Sequence, residues 1–295
     1  MFAALNNFFS GVVVKITTYI TQKAIFGFGG TGPIFATTNL VSNTGVVASD
    51  TAGVGTPRYQ LGAAAYGGDK AIFAFGYDGT SGTSITNLVS NTGVVASNTT
   101  TLATATSGVS GVGYGGDKAI FLYQRANRVS NTGAIVDNVT IAGLSSRVNA
   151  GAAGYGVGTA IYAFGFDATS YSNLVSNIGG VSADVACAGT ARQQLAAAMY
   201  GGDKAIFGFG LTYGGSPTAI TNLVSNTGVI AADTTGVGTA RYAIAAAGYG
   251  GDKAIFSFGT SHITNLVSNT GVVASDVTGV GTSRTNLAAA GYSLT

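Results

Sequence analysis

The stretch TNLVSNTGVVASD fills residues 38–50, and nearly the same letters return at 221–233 and 264–276. Its shorter core, Val-Ser-Asn, occurs six times, at steps of 48, 40, 46, 49 and 43 residues. The six asparagines are Asn43, Asn91, Asn131, Asn177, Asn226 and Asn269. Repetition at such a period is typical of proteins in which each repeat is a small structural unit that is stable only against its neighbours.

A second element, written GGDKAIFGFG in its fullest form, alternates with the first and also occurs six times. Its copies span residues 22–29, 67–76, 115–123, 156–165, 201–210 and 250–259. Each repeat thus contains an Ala-rich segment such as Leu195–Tyr200, then KAIF, TNLVS and GVVAS segments. Gly-Gly-Asp and Asn-Thr-Gly separate these segments and suit tight hairpin turns. We therefore predict four strands per repeat, A to D in chain order.

The composition of the strands predicts how they pack. In strand B, alternation places Ala205, Phe207 and Phe209 on one side and Ile206 on the other. Gly and β-branched residues are too frequent for long helices. We predict an all-β fold, a six-bladed β-propeller of four-stranded blades, with the small residues of strand A at the channel and the Phe residues between blades.

The two ends of the repeated region predict a closed ring. The first complete unit begins with strand B at Lys23, whereas the chain ends with a strand A within residues 284–292. The C-terminal strand can therefore complete the first blade. This assigns residues 22–295 to the propeller and leaves residues 1–21 as an N-terminal segment outside the repeats, which we expect to serve in attachment.

The order of motifs resembles the kelch repeat family. Arg241 is followed by small residues, a Gly turn, an apolar strand ending in Gly, and a hairpin with a polar turn at 264–276. The resemblance covers about residues 22–295 and implies a propeller. The chain differs from the family pattern in having no Trp, and a Gly-Gly doublet ends strand B only at Gly29–Gly30.

Composition excludes several classes of protein. Charged residues are 8% of the chain and the net charge is +2, so no basic block offers a surface for nucleic acid. The single Cys187 cannot form an intramolecular disulfide. No uninterrupted apolar run approaches 20 residues, so we expect no membrane span.

Acidic and basic residues recur at fixed positions of the repeats. An Asp ends strand D and an Arg follows eight residues later, and we predict that the two form a structural ion pair. The pairs are Asp50 with Arg58, Asp184 with Arg192, Asp233 with Arg241, and Asp276 with Arg284. In the copy at Asn98 and Thr106 both residues change. The alternative is a ring of Arg around the channel that binds an anion.

The residues that commonly carry catalysis are few, and we expect a protein without enzymatic activity, metal or cofactor. His262 is the only His and is expected at the surface, and Cys187 is expected to be a small buried residue. The Asp-Lys pairs of the GGDK turns are expected to be solvated turns, since one carboxylate per turn is too few for a metal ion.

Three functions remain open. The sequences of the repeats resemble those of propeller proteins encoded by bacteriophages. This resemblance implies a structural protein of the virion, either a capsid decoration or a tail appendage. It would attach to other virion proteins through Phe2, Phe8 and Phe9. The alternative is an extracellular or soluble lectin-like module that binds surface glycans through exposed Tyr77, Tyr171 and Tyr213 in the variable loops between strands B and C. An intracellular adaptor is the third possibility.

Overall fold

The computed structural model describes residues 21–30, 32–166 and 170–295, and every regular element in these ranges is a β-strand. No helix in them is long and apolar enough to cross a membrane. The strands are β1 (Lys23–Gly27), β2 (Thr38–Val41), β3 (Gly62–Tyr66), β4 (Lys70–Ala74), β5 (Ile85–Val89), β6 (Thr99–Thr100), β7 (Ser110–Tyr114), β8 (Lys118–Leu122), β9 (Arg125–Val129), β10 (Val139–Thr140), β11 (Gly151–Tyr155), β12 (Thr159–Ala163), β13 (Tyr171–Val175), β14 (Val185–Ala186), β15 (Arg192–Gln193), β16 (Ala196–Tyr200), β17 (Lys204–Gly208), β18 (Leu211–Thr212), β19 (Thr221–Val224), β20 (Ala245–Tyr249), β21 (Lys253–Ser257), β22 (Ile263–Val267), β23 (Val277–Thr278) and β24 (Ala288–Tyr292).

The strands form the six blades of a β-propeller, as the repeats predict. Blade 1 contains β24, β1 and β2; blade 2, β3 to β6; blade 3, β7 to β10; blade 4, β11 to β14; blade 5, β16, β17 and β19; and blade 6, β20 to β23. β15 and β18 form a small extra ladder beside blade 5. The A–B and C–D hairpins share one face of the disc, the hairpin face. The B–C loops and the D–A connections share the other, the loop face.

The prediction that the C-terminal strand closes the ring is confirmed. β24 pairs with β1 antiparallel along its whole length, from Lys23 opposite Tyr292 to Gly27 opposite Ala288. Blade 1 is thus built from both ends of the described chain, so the first and last repeats are held as neighbours.

The outermost strand is less regular than the sequence predicts. In blade 1 the GVVAS segment meets β2 at the single bridge between Val41 and Val47, and pairing resumes only at Thr51. The cause is Asn39, a fully buried residue of β2, whose side-chain amide donates a hydrogen bond to the Ala48 carbonyl. A side chain thereby takes the place of a ladder bond, and the same arrangement recurs in blades 2, 4, 5 and 6.

Six hydrophobic cores fill the gaps between neighbouring blades in the described chain. The prediction that Ala205, Phe207 and Phe209 share one side of their strand is wrong. Ala205 and Phe207 pack in the gap toward blade 4, whereas Phe209 lies with Ile206 in the gap toward blade 6. The reason is the left-handed conformation of Phe209, with φ of 62°, which ends the period-two alternation. Phe28, Phe75, Phe164 and Phe258 have the same conformation.

This reversed Phe connects each blade to the next. Phe209 packs against Phe256 of the following blade at 5.2 Å between ring centroids, in an edge-to-face arrangement. Equivalent pairs join blades 1 and 2, 2 and 3, 4 and 5, and 6 and 1. Such aromatic contacts stabilise by about 1 kcal/mol each beyond the area that they bury.

Two closed rings of backbone hydrogen bonds encircle the channel. On the hairpin face, each A–B turn donates an N–H to a carbonyl of the next blade's turn, over 2.7–2.9 Å. The donors are Gly67, Gly115, Gly156, Gly201, Gly250 and Ser293. On the loop face, the residue two positions before each inner strand donates to its counterpart in the neighbouring blade, over 2.8–3.2 Å. These residues, the mouth ring, are Gln60, Gly108, Asn149, Gln194, Ala243 and Asn286.

On the hairpin face, a Tyr of one blade covers the C–D turn of the next. Tyr200, at the end of β16, lies against Gly271, whose φ is 83°. A Cβ added to Gly271 would stand 2.9 Å from the Tyr200 ring, too close for a carbon contact. The same contact joins Tyr249 to Gly45 across the closure of the ring.

We predict that Gly271→Ala destabilises the protein far more than Gly202→Ala. Both glycines have positive φ, 83° and 80°, so both substitutions carry the left-handed penalty of about 1 kcal/mol. Only at Gly271 does the new methyl also collide with a packed ring, which adds about 1–3 kcal/mol. Chemical denaturation of the two variants measures the difference, and equal losses would show that the Tyr–Gly contact is loosely packed.

Candidate functional site

The loop face carries a polar network that is seen most fully in blade 5. The amide of Asn222, in β19, donates to the Asp233 carboxylate over 2.9 Å, and Arg192 donates to the Asn222 side-chain oxygen over 2.6 Å. The Thr190 hydroxyl donates to Asp233 over 2.6 Å. We call this the Arg–Asn–Asp network, and it joins the segment before the inner strand to the end of the outer one.

The Arg also connects two blades. Arg192 donates its Nε–H to the Phe209 carbonyl over 2.9 Å, and its guanidinium lies 4.5 Å from the ring centroid of Phe164 in blade 4. Burial lowers the pKa of Arg192 to about 10, so it remains charged at neutral pH. Arg58, Arg241 and Arg284 make the same stack on the preceding blade, and Arg147 stacks on Tyr162.

The carboxylates of the network are held ionised. Burial raises the pKa of Asp233, but hydrogen bonds from Thr190 and Asn222 and the charge of Arg192 outweigh it, and the pKa lies below its usual value. The same balance lowers the pKa of Asp50, Asp184 and Asp276. These groups stabilise the fold above the pKa of an unfolded Asp, and the contribution is lost as the pH falls through the folded pKa.

The structure pairs the charged residues differently from the sequence-based prediction. Each Asp meets the Arg that opens its own blade, not the Arg eight residues further on. Asp50 lies 3.5 Å from Arg284 and Asp184 lies 3.7 Å from Arg147. Asp233 faces Arg192 and Asp276 faces Arg241, and in blade 2 both Arg58 and Asn98 donate hydrogen bonds to Thr56. The predicted pairs join an Asp of one blade to the Arg of the next blade, because the chain crosses between blades in the eight residues that separate them.

An anion-binding ring of arginines, the alternative interpretation, requires accessible guanidinium groups. The five arginines of the network are at most 2% exposed: Arg58, Arg147, Arg192, Arg241 and Arg284. In four of them the Nε–H donates to a backbone carbonyl of the same blade, and in Arg147 an NH2 donates to the Asn173 side-chain oxygen. The network therefore serves the fold, and the ligand-binding interpretation has no support from the geometry.

Blades 2 and 3 depart from the network. In blade 2, Asn98 stands where blades 1, 4, 5 and 6 have Asp, so the network of buried Arg58 contains no carboxylate, and the Arg58 NH2 lacks a hydrogen-bond partner. In blade 3, Thr106 replaces the Arg and Asn138 the Asp, and the side-chain oxygens of Asn127 and Asn138 have no partner. The Asp137 carboxylate instead pairs with Arg128 on the same blade at 2.5 Å.

The central member of the network was not predicted from the sequence. The Asn of strand C occurs in every repeat, at Asn39, Asn87, Asn127, Asn173, Asn222 and Asn265. All six are buried, four per cent exposed or less. A polar side chain in the middle of an apolar strand, repeated in all six units, could have been predicted to form a buried hydrogen-bond network, because such a group must find hydrogen bonds inside the fold.

The remaining titratable residues lie apart from one another. The Asp-Lys pairs of the hairpin face are partly exposed ion pairs within their own turns. His262 is exposed, and Cys187 is half-buried beside the core between blades 4 and 5, where burial raises the pKa of its thiol. Within residues 21–30, 32–166 and 170–295, no cluster of three or more His, Cys, Asp or Glu could hold a metal ion.

The structure separates the three tyrosines that were predicted to contact a ligand. Tyr213 is 79% exposed in the B–C loop of blade 5. Tyr77 is half-buried, stacks on Tyr59 at 5.5 Å and donates its hydroxyl to the Thr80 carbonyl. Tyr171 is not in a loop but begins β13, opposite Ala186. Phe2, Phe8 and Phe9, predicted to mediate attachment, lie outside the described residues.

The fold and its repeated network define a six-bladed β-propeller. No protein-family model matches the chain, and no curated protein has a significantly similar sequence.

We predict that Asn98→Asp stabilises the protein at neutral pH. A carboxylate at this position would receive the buried Arg58, as in blade 5, and charge-assisted hydrogen bonds contribute about 1–3 kcal/mol. Thr56 already bonds to the residue 98 side chain, so the new carboxylate fits the existing donors. The free energy of unfolding in denaturant measures the gain.

Asn138→Asp is the matched control, because Thr106 offers this site no positive charge. It is expected to give no gain. The gain at residue 98 should also fade as the pH falls below about 4, where the new carboxyl takes up a proton. A gain of equal size at both positions, or one that persists in acid, would contradict the role assigned to Arg58.

Proposed function

We propose that the protein is a non-enzymatic binding propeller that serves as a structural component of a bacteriophage particle, either a capsid decoration or a tail appendage. Its charged groups support this proposal, because most of them are bound within repeated structural contacts. The Arg and Asp residues of the network hold the blades together, and the Asp-Lys pairs hold the hairpins. The similarity of the repeats to phage-encoded propellers directs the proposal toward a virion.

One observation carries the proposal of a binding scaffold, the contrast between the two faces. The A–B turns of blades 2 to 6 all contain three residues between their strands. The B–C loops vary from two residues between β8 and β9 to twelve between β17 and β19. Variable loops on a constant ring are typical of a surface that recognises a partner while the scaffold keeps its shape.

The first prediction of this proposal concerns where the protein is found. Particles from the source culture are separated on a density gradient, and each fraction is analysed by peptide mass spectrometry. We expect peptides of this chain to sediment with phage-sized particles in a constant ratio to the major capsid protein. Peptides confined to the soluble fractions would reject the virion role.

A second candidate function, glycan binding, is favoured by a recess on the loop face between blades 4 and 5. Phe166, which is 55% exposed, and Tyr213, which is 79% exposed, line the recess together with Gln193. Exposed aromatic faces beside an amide can bind a sugar ring, since aromatic side chains offer apolar surface at little entropic cost.

We predict that Tyr213→Ser removes glycan binding if this recess binds the sugar. The full-length protein and the variant are compared on the same glycan array. Tyr171→Ser is the matched control, because Tyr171 begins strand β13 and does not line the recess. This substitution is expected to leave the array signal unchanged. An array without signal above background for the unmodified protein would reject this candidate.

A further inference from the structure

The mouth ring places four uncommitted side-chain amides around the channel opening of the loop face. Gln60, Asn149, Gln194 and Asn286 occupy four of its six positions, and Gly108 and Ala243 occupy the others. All four amide residues are partly exposed. Within the described chain, no hydrogen bond occupies their side-chain amides.

The ring is small enough for its side chains to act together. Each ring residue is joined to its neighbour by one backbone hydrogen bond of 2.8–3.2 Å, so the six positions surround a single opening. The Asn149 side chain extends toward its neighbour in the ring, since a Cβ built on Gly108 would lie 3.8 Å from the Asn149 Oδ1. One small molecule at the opening can therefore contact several ring positions.

The amides are arranged with approximate two-fold symmetry. Counting blades around the ring, Gln60 lies opposite Gln194, and Asn149 lies opposite Asn286. The third diameter joins Gly108 to Ala243, the two positions without a polar side chain. The carboxamides thus form two neighbouring pairs on opposite sides of the ring, separated by Gly108 and Ala243.

The backbone gives no reason to prefer Gln at these positions. All six ring residues have positive φ, between 52° and 72°. Glycine adopts this conformation without strain, as Gly108 does, whereas Gln60 and Gln194 adopt it against the steric preference of residues with a Cβ. The side chains are retained at a cost to the fold, which indicates a role beyond it.

We propose that the mouth ring is a binding site for a neutral, hydroxyl-rich ligand, a carbohydrate. Each carboxamide offers one acceptor oxygen and two donor hydrogens, which match hydroxyl groups that both donate and accept. Tyr59 and Tyr242, which immediately precede Gln60 and Ala243 in sequence, are partly exposed. This site is distinct from the recess at Tyr213 and does not depend on the virion role.

Anions fit the ring less well. The nearest cations, such as Arg58 and Arg192, stand two residues before ring positions but are buried and directed into the blades. The amides that remain at the opening carry no formal charge. A ligand of many hydroxyl groups matches them better than sulfate or phosphate does.

The test is saturation-transfer NMR on the full-length protein with the methyl glycosides of glucose, galactose and N-acetylglucosamine. We expect transfer to at least one glycoside, and a loss of at least about tenfold in affinity in the double variant Gln60→Gly with Gln194→Gly. Because glycine relieves left-handed strain, this variant should unfold at an unchanged or higher temperature. Its loss of binding is therefore not a loss of folding.

Ala243→Gly is the matched control, a change to glycine in the same ring that removes no amide, and it should keep binding. The proposal is overturned if the unmodified protein shows transfer to none of the three glycosides, or if the double variant binds as well as the unmodified protein. Displacement of the glycosides by sulfate would also overturn it and indicate an anion site. Tyr213→Ser should retain this signal, which separates the mouth ring from the recess between blades 4 and 5.

Discussion

The propeller depends on one backbone constraint, the left-handed residue that recurs twice in each regular blade. One copy stands two residues before the inner strand and allows each blade to donate a hydrogen bond to its neighbour around the channel. The other is the Phe after strand B, whose reversed side chain enters the next gap. The hydrogen bond is donated to the preceding blade and the Phe packs against the following one, so each blade is held on both sides, and β24 returns the chain to its start.

The Arg–Asn–Asp network makes use of that same Phe. The conformation that turns the Phe209 side chain toward blade 6 leaves its carbonyl available to Arg192 and its ring beneath Arg241. Each such Arg is desolvated, which costs several kcal/mol unless hydrogen bonds and an opposite charge compensate. An Asp compensates in four blades. Blade 2 retains the Arg without the Asp, and blade 3 has neither. The charge compensation therefore differs from blade to blade although the backbone geometry is regular.

The blade count, the strand order and the closure by β24 could all be predicted from sequence, because they follow from repeat spacing and turn chemistry. The pairing of charges could not, because the sequence shows the distance between Asp233 and Arg241 but not that the chain changes blade between them. Phe209 was assigned to the wrong gap for a related reason, since alternation assumes extended backbone and its φ is 62°. Asn222 was predictable, as a polar residue that recurs inside every C strand.

The repeats also help to separate residues needed by the fold from residues with another role. At positions where structure dictates the residue, the copies agree, as the buried Asn of strand C does in all six blades. The mouth ring behaves in the opposite way, because one backbone conformation is kept while the side chain varies among Gln, Asn, Ala and Gly. Its backbone role needs no amide. The placement of Gln opposite Gln and Asn opposite Asn is two-fold on a six-fold scaffold, and the proposed carbohydrate site rests on this difference.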